Sequence, residues 1–575
     1  NNDGSSVAAA LLGIPNGGSV QWNQQLYESY KYYGAYFQDN WKATEHLSFN
    51  LGIRWDNENS PRDRHDRLLA GVCLTCANPI NSSVTLPSVL PNGASPVSVM
   101  YGTAQFSSSS LSSYVNNTQF WQPKFGFSYS PNRKMVIHGG YALSKAFGIE
   151  LGASSPFNQT TSYNSSADNG LHPLYSFKNG NPFPNGAQAP AGTSLGGLAL
   201  VGNSISIDQR EHKVPIVQQW TLGIEQVIGG GVKINLAYVG THAYHLRVGG
   251  RNLNGLNPSD YSKGFANNAY LNQLVSNPFY GVLPTTTSLG ANSTIAAKYL
   301  MVPYPQFYGS VNVNTDAGGF SNYHSFQAKA EKRFSTSHSA FGGISMLSSF
   351  TWAKLMDAVS RLNNTGAGLV DPRPYYGIDS GDRPWTFALS GLYNLPFGHG
   401  AAYFSDANPY VDSVIGGWQL DWTMQHQGGT PIAFPNQYNY NCGNFNIVPA
   451  QRSYKSYLNN SNPGCFSNFP AFSTVTLPPY TTAVRAPYAP QVALGLEKKW
   501  TIHESVKFQL KAEAFNAMNT PIFPGPSTSS PTAAPTRNTA VADPNAPGAW
   551  SGYGTIGNTQ QNFPRQYQLS GKVFF

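Results

Sequence analysis

Hydrophobic and polar positions alternate with a period of two along most of the chain. In residues 506–514, Val506, Phe508, Leu510, Ala512 and Ala514 fall on one face, and Lys507, Gln509, Lys511 and Glu513 on the other. Residues 46–56 repeat the beat, with Leu47, Phe49, Leu51, Ile53 and Trp55 opposing Ser48, Asn50, Gly52, Arg54 and Asp56. Trp220/Leu222/Ile224, Val232/Ile234/Leu236/Tyr238, Trp385/Phe387/Leu389/Tyr393 and Trp418/Leu420/Trp422/Met424 do the same. Successive side chains of a strand point to opposite faces, whereas a helix would bring residues three and four apart together and scramble these sets. The pattern predicts thirteen strands, near 29–42, 46–57, 119–130, 134–147, 214–228, 232–246, 322–334, 341–357, 383–396, 417–430, 488–500, 505–519 and 563–575.

The connections alternate short and long. Short ones fall at 43–45, 131–133, 229–231, 335–340, 397–416 and 501–504, and long ones at 58–118, 148–213, 247–321, 358–382, 431–487 and 520–562. Structureless loops of such length argue against a compact soluble domain. A transmembrane β-barrel expects them, with tight periplasmic turns on one side and long extracellular loops on the other. Within the 397–416 connection, Ser405–Ile415 is expected to form a short helix. The stretch Ala8–Pro15, followed by Gly17 and Gly18, reads as loop. Single-chain bacterial barrels have even strand numbers, so an odd count implies further strands upstream of Asn1.

Composition narrows the class. Of 575 residues, only 11% are charged and 13% are aromatic, against roughly 25% charged in ordinary soluble domains. Gly (57) and Pro (41) are abundant, which disfavours helical bundles and coiled coils. No apolar run approaches the ~20 residues of a spanning helix. The net charge of +8 comes from scattered Lys and Arg, without the basic stripe of a nucleic-acid binder.

The two faces differ in kind. One carries aromatics (Tyr33, Phe37, Trp41, Trp55, Trp220, Tyr238, Phe350, Trp352, Trp418, Trp422 and Trp500), residues suited to the membrane headgroup zone. The other carries single charges: Arg54, Lys124, His138, Glu225, Lys233, Lys329, Glu331, Arg333, Asp421, Glu497, Lys507, Lys511, Glu513 and Lys572. A Lys or Arg at a barrel's lipid-facing midplane costs roughly 2–4 kcal/mol, so these residues are candidates for a wet, enclosed lumen. The expected fold is all-β, an antiparallel transmembrane barrel of one domain over 1–575.

The segments Tyr33-Gly-Ala-Tyr-Phe-Gln-Asp-Asn-Trp-Lys42 and Leu47-Ser-Phe-Asn-Leu-Gly-Ile-Arg-Trp-Asp56 resemble the barrel of TonB-dependent outer-membrane transporters, most of all the Oar-like group. Pro123-Lys-Phe-Gly-Phe-Ser-Tyr-Ser-Pro131, Ser321-Asn-Tyr-His-Ser-Phe-Gln-Ala-Lys329, Leu395-Pro-Phe-Gly398, Gly416-Gly-Trp-Gln-Leu420 and Ala512-Glu-Ala-Phe-Asn-Ala-Met-Asn519 extend the likeness. The alternating Tyr567, Leu569, Val573 and terminal Phe575 are similar to the signal read by the outer-membrane assembly machinery. The resemblance implies residence in the outer membrane of a Gram-negative bacterium, a 22-stranded barrel of which thirteen strands are the C-terminal part, and energy-coupled uptake of a scarce solute. It also implies a plug and a TonB-engaging segment, neither of which is visible in this sequence.

Other motifs carry little chemistry. Gly192-Thr-Ser-Leu-Gly196 has nucleophile-elbow spacing but follows loop rather than strand. Gly552-Tyr-Gly-Thr-Ile-Gly557 has dinucleotide-fingerprint spacing with no strand before it and Pro564 soon after. Cys73/Cys76 and Cys442/Cys465 form two local pairs; too few ligands surround either for a structural zinc, and disulfides of an oxidising compartment are favoured. The run Arg62-Asp-Arg-His-Asp-Arg67 reads as solvated loop that could steer a charged ligand, and Pro435-Asn-Gln-Tyr-Asn-Tyr-Asn441 as exposed loop with sugar- or peptide-binding composition. No cofactor, metal or catalytic centre is expected. Two alternatives stay open: a passive porin or surface-binding barrel, and a secreted all-β glycan-binding protein.

Overall fold

The fold was established as a computed structural model, which describes residues 6–575 except 15–16, 24–25, 109–110, 112–118, 147–155, 163–170, 177, 179–182, 184–185, 209–212, 249–250, 315, 335–342, 360–373, 435–437, 445, 469, 473–476 and 504. Thirteen long strands build one antiparallel sheet: β1 (Tyr32–Lys42), β2 (Leu47–Glu58), β3 (Phe120–Asn132), β4 (Met135–Lys145), β5 (Ile216–Gly229), β6 (Val232–Leu246), β7 (Gly319–Lys332), β8 (Ile344–Asp357), β9 (Trp385–Asn394), β10 (Trp418–Gln427), β11 (Gln491–His503), β12 (Val506–Phe515) and β13 (Gln566–Phe574). Each pairs with the next in chain order, and a short strand at Gly377–Ile378 adds beside β8. The path is open: among the described residues, β1 and β13 each have one neighbour in the sheet.

Every strand matches an expected one, with small differences at the ends. The first begins at Tyr32 rather than 29, because Glu28–Ser29 leaves the wall to pair with Arg62–Asp63. Two larger departures concern the segments between strands. Ser6–Leu11 is a short helix, not loop. The long connections are structured, with their own short strands, such as Leu69–Ala77 on Tyr101–Phe106, and helices, such as Pro258–Ala266. The helix expected in the 397–416 turn is present at Pro409–Ile415, capped by the Asn408 side chain. The 335–340 turn lies outside the described residues, as does part of the Pro435–Asn441 loop.

Register preserves the two faces across the whole wall. Directly paired residues share a face, and the apolar set can be followed strand by strand. Trp41 meets Phe49, Phe49 meets Phe127, Phe127 meets Gly139 and Gly139 meets Leu222. Leu222 continues to Tyr238, Phe326 and Trp352, and the face runs on to Leu496, Ala512 and Leu569. Bulges interrupt the pairing near strand ends, as at Val227/Gly229 and Thr501/His503, where a slip costs the least. This apolar face is open: Phe37, Trp121, Leu222 and Trp352 are all exposed. An exposed apolar surface of this extent needs a non-aqueous cover.

Several rings on that face lie flat on a glycine of the neighbouring strand. A Cβ at Gly240 would sit 2.3 Å from the Trp220 indole, one at Gly391 2.4 Å from Trp422, and one at Gly139 2.6 Å from Phe127. The missing side chain is what lets each ring pack down. Cores closed to solvent lie instead in the long connections. One cluster joins Ile80, Leu90 and Met100 to Phe279, Leu289 and Leu300; another joins Ile205 and Ile207 to Phe307, Val311 and Val313. A third gathers Ile432, Phe434, Ile447 and Leu458 around Tyr553.

Candidate functional site

The candidate site is the charged face together with the loop layer above it. Arg54, Lys124, His138, Glu225, Lys233, Lys329, Glu331, Asp421, Glu497, Lys507, Lys511, Glu513 and Lys572 all fall on one side of the sheet, opposite the aromatic face. Arg333 follows β7 directly and reaches back to Glu331 at 2.9 Å.

The structure gathers Arg54, Glu225, Lys233, Glu331, Asp421, Glu497, Lys511 and Glu513 into three groups; Lys124, His138, Lys329, Lys507 and Lys572 share the face without joining them. On β1–β3, Arg54 Nε lies 2.8 Å from Asp56 Oδ1, which also accepts from the Tyr32 hydroxyl at 2.6 Å, while Gln122 donates to Asp56 Oδ2. On β5–β7, Lys233 Nζ bridges Glu225 (3.3 Å) and Glu331 (3.9 Å). On β10–β12, Lys511 Nζ lies 3.4 Å from Asp421 and 2.9 Å from Glu513. Beside it, Glu497 accepts from Lys499 at 3.0 Å and Gln509 at 2.6 Å. Lys233 reaches anions one strand away on either side and Lys511 one two strands away, so these pairs cross-link the wall, while Arg54–Asp56, Lys511–Glu513 and Lys499–Glu497 each pair along one strand.

Three participants escape a reading by charge alone. Gly495 is the register partner of both Asp421 and Glu513, and its bare Cα leaves the gap through which Lys511 and Asp421 meet. Glu58 at the end of β2 holds Lys145 at 3.2 Å, both buried. Lys498 stands on the apolar face, paired with Trp418 and Leu510. Its even position among Leu494, Leu496 and Trp500 was the available signal that something must cover it. Asp39 also interrupts that face, opposite Leu51.

Above the strands, side chains tie the long connections together. Asp63 accepts from Arg67 Nε at 2.8 Å and from the backbone N–H groups of Tyr27, His65 and Arg67. The Arg67 guanidinium, helped by those N–H groups, holds its carboxyl well below the usual carboxylate range. Within the 62–67 run Asp63 is thus the buried centre of a clamp closed by Arg67, while Arg62, Arg64, His65 and Asp66 are exposed, as expected of a solvated loop. Arg485 Nη2 donates to the buried Asp382 at 2.6 Å, and Leu355 N donates to the same carboxylate at 2.8 Å. Tyr299 stacks on Tyr308 at 4.5 Å between ring centres, and burial together with the Tyr308 hydroxyl pushes its phenol up to about 12. Disulfides join Cys73 to Cys76 and Cys442 to Cys465.

Neither catalytic spacing is built for chemistry. Ser194 sits in a turn and donates its hydroxyl to Ala191 O at 2.7 Å. Tyr553 of the 552–557 run is buried in the third loop core, where a phosphate has no access. Tyr567, Leu569, Val573 and Phe575 stand exposed at the last strand, the first three opposite Ala514, Ala512 and Phe508.

A family model described as an outer membrane beta barrel domain matches residues 1–568. The chain belongs to that family. As an outer-membrane β-barrel domain it resides in the outer membrane of a Gram-negative cell, and the secreted soluble reading falls away. No curated protein matches it in sequence. Among solved structures it is similar to the ferripyoverdine receptor of Pseudomonas aeruginosa bound to ferripyoverdine, at 10% identity and TM-score 0.36, covering 96% of this chain and 39% of that one. It is similar also to the ferric-catecholate import receptor Fiu of E. coli K12, at 11% identity and TM-score 0.33, covering 95% and 45%. The FrpB iron transporter of Neisseria meningitidis gives 9% identity and TM-score 0.32, covering 96% and 56%. The barrel domain therefore spans from about two-fifths to just over half the length of these proteins.

Proposed function

We propose that this outer-membrane β-barrel domain is the wall and outer mouth of a TonB-dependent transporter that takes up a scarce solute. The solute class is open among carbohydrates, peptides and metal chelates. The observation that carries the reading is the separation of faces over thirteen strands, interrupted on the apolar side at Asp39, Lys332, Lys354 and Lys498, with every charge of the three groups on the other side. In this reading the aromatic side meets lipid and the charged side lines a lumen. Ion-paired carboxylates and cations on that side present alternating donors and acceptors without a large net field, suiting polar cargo over simple ions of one sign. The open edges of β1 and β13 fit a barrel closed by further strands of the same protein. The exposed residues of β13 fit recognition by the outer-membrane assembly machinery.

Energy coupling through TonB and a plug follows from the sequence resemblance. Loops fused by shared cores favour capture at the mouth over the free diffusion of an open porin.

The test is solute uptake by a deletion strain complemented with the full gene, across labelled sugars, peptides and iron chelates. Uptake of one class is expected to depend on the gene and to stop when TonB is removed. Uptake that depends on the gene but survives loss of TonB would mark a passive porin and defeat the proposal.

A further inference from the structure

The 397–416 connection is a tight-side turn, yet large apolar side chains stand exposed on it beside polar ones such as Asp406 and Asn408. Tyr410 is 86% exposed, and Phe404 and Val414 are each 67% exposed, with Tyr403 and Val411 also open. A turn facing water would bring polar side chains to these places.

The helix Pro409–Ile415 does not hang free. Its last carbonyls, which have no partner within the helix, are taken by side chains from the apolar face of the wall. Trp418 Nε1 donates to Val414 O at 2.8 Å, and Trp500 Nε1 donates to Ser413 O at 2.9 Å. Lys498 Nζ donates to Gly416 O and, at 3.4 Å, to Asp412 O, which also accepts the capping Gly416 N–H, and its cation lies over the Trp418 and Trp500 rings. The charge that would be costly against hydrocarbon is thus covered by the helix. Asp412 is turned inward, its carboxylate accepting from His399 N at 2.6 Å.

The helix is therefore fixed to the aromatic side of the wall, on which Ile502 of β11 is also exposed, and carries the apolar face past the strand ends. From this geometry we infer that residues 397–414 form an interfacial foot. Its apolar side chains sit among phospholipid headgroups and upper acyl chains of the periplasmic leaflet. The occupant is phospholipid because the patch is continuous with the aromatic face and combines Tyr and Phe with aliphatic residues, the mix favoured at a membrane boundary. The inference rests on the proposal that the aromatic face meets lipid.

Nitroxide labels on Val414→Cys, on Leu222→Cys of the wall and on Asn545→Cys of an exposed loop separate the two claims. The full protein, with both disulfides intact, is reconstituted in phosphatidylethanolamine/phosphatidylglycerol vesicles. Its labels are read for relaxation by oxygen, which enriches in lipid, against a water-soluble nickel chelate. The label at 414 is expected to resemble that at 222, several-fold more sensitive to oxygen relative to nickel than the label at 545. A 414 label as open to nickel as 545, or shielded from both reagents by protein, overturns the foot while leaving the wall intact. A 222 label that also reads as aqueous overturns both. Tyr410→Cys gives a second position if the 414 variant fails to assemble.

Discussion

Lys511 and Asp421 form an ion pair at 3.4 Å although they stand on β12 and β10, with a whole strand between them. The intervening position is Gly495, where an added Cβ would lie 2.3 Å from an Asp421 carboxylate oxygen. A branched side chain there must expel the carboxylate. Gly495→Val is expected to destabilise the folded barrel by about 1–3 kcal/mol, the usual cost of overpacking. Glu513→Gln, at a partly solvated pair, should cost below ~1 kcal/mol. Urea unfolding in detergent micelles compares the two; equal effects would mean that the gap at 495 is unimportant.

Trp422 and Gly391 test the ring-on-glycine contacts of the apolar face. A methyl group at 391 would meet the indole at 2.4 Å, so Gly391→Ala should lift the ring and change its fluorescence. Combined with Trp422→Ala, it should show a coupling of about 0.5–1.5 kcal/mol in a double-mutant cycle. Additive losses would show that the ring and the glycine act separately.

Asp63 gives the loop layer a pH dependence of known sign. Its folded pKa is depressed by Arg67 and three backbone donors, so its stabilisation is present above the unfolded value, about 3.9. The stabilisation fades as pH falls from there through the lower folded value. Amide exchange at Tyr27, His65 and Arg67 should stay slow at pH 5 and accelerate only in strong acid. Asp63→Asn should make it fast at both. Exchange insensitive to that substitution would remove the clamp.

Cys442 and Cys465, 23 positions apart, close a loop whose core includes Phe466 and Tyr553. Cross-linking a segment of this length is worth about 3 kcal/mol in the loop-entropy model. The double Ser variant should gain protease cuts between 435 and 480 while the wall keeps its heat-modifiable gel shift. Loss of that shift would mean that the wall depends on the loop.

The wall was legible from sequence because alternation and register are local and repeat thirteen times. Arg54, Glu225 and Lys511 could be placed on one face by parity alone. Gly495 could not, since its role exists only once β10 and β12 flank it. The loop cores were hidden for a related reason: Met100 and Phe279 meet across nearly 180 positions, and no periodic signal reports such a meeting. The 6–11 helix was missed because Val7-Ala-Ala-Ala10 precedes a Gly and a Pro, and the turn signal masked the helix former. Lys498 broke parity visibly, but only the folded helix at 409–415 shows what answers it.

The shared cores of the outer connections have an evolutionary side. Phe279 rests on residues from the first long connection, Phe307 on residues from the second, and Phe472 reaches across to Tyr261 from the fifth. Grafting one connection from a relative would therefore strand apolar partners on two others. Diversification of the mouth should proceed by concerted replacement of several segments or by point changes at the rim, and chimaeras exchanging a single segment should be poorly tolerated.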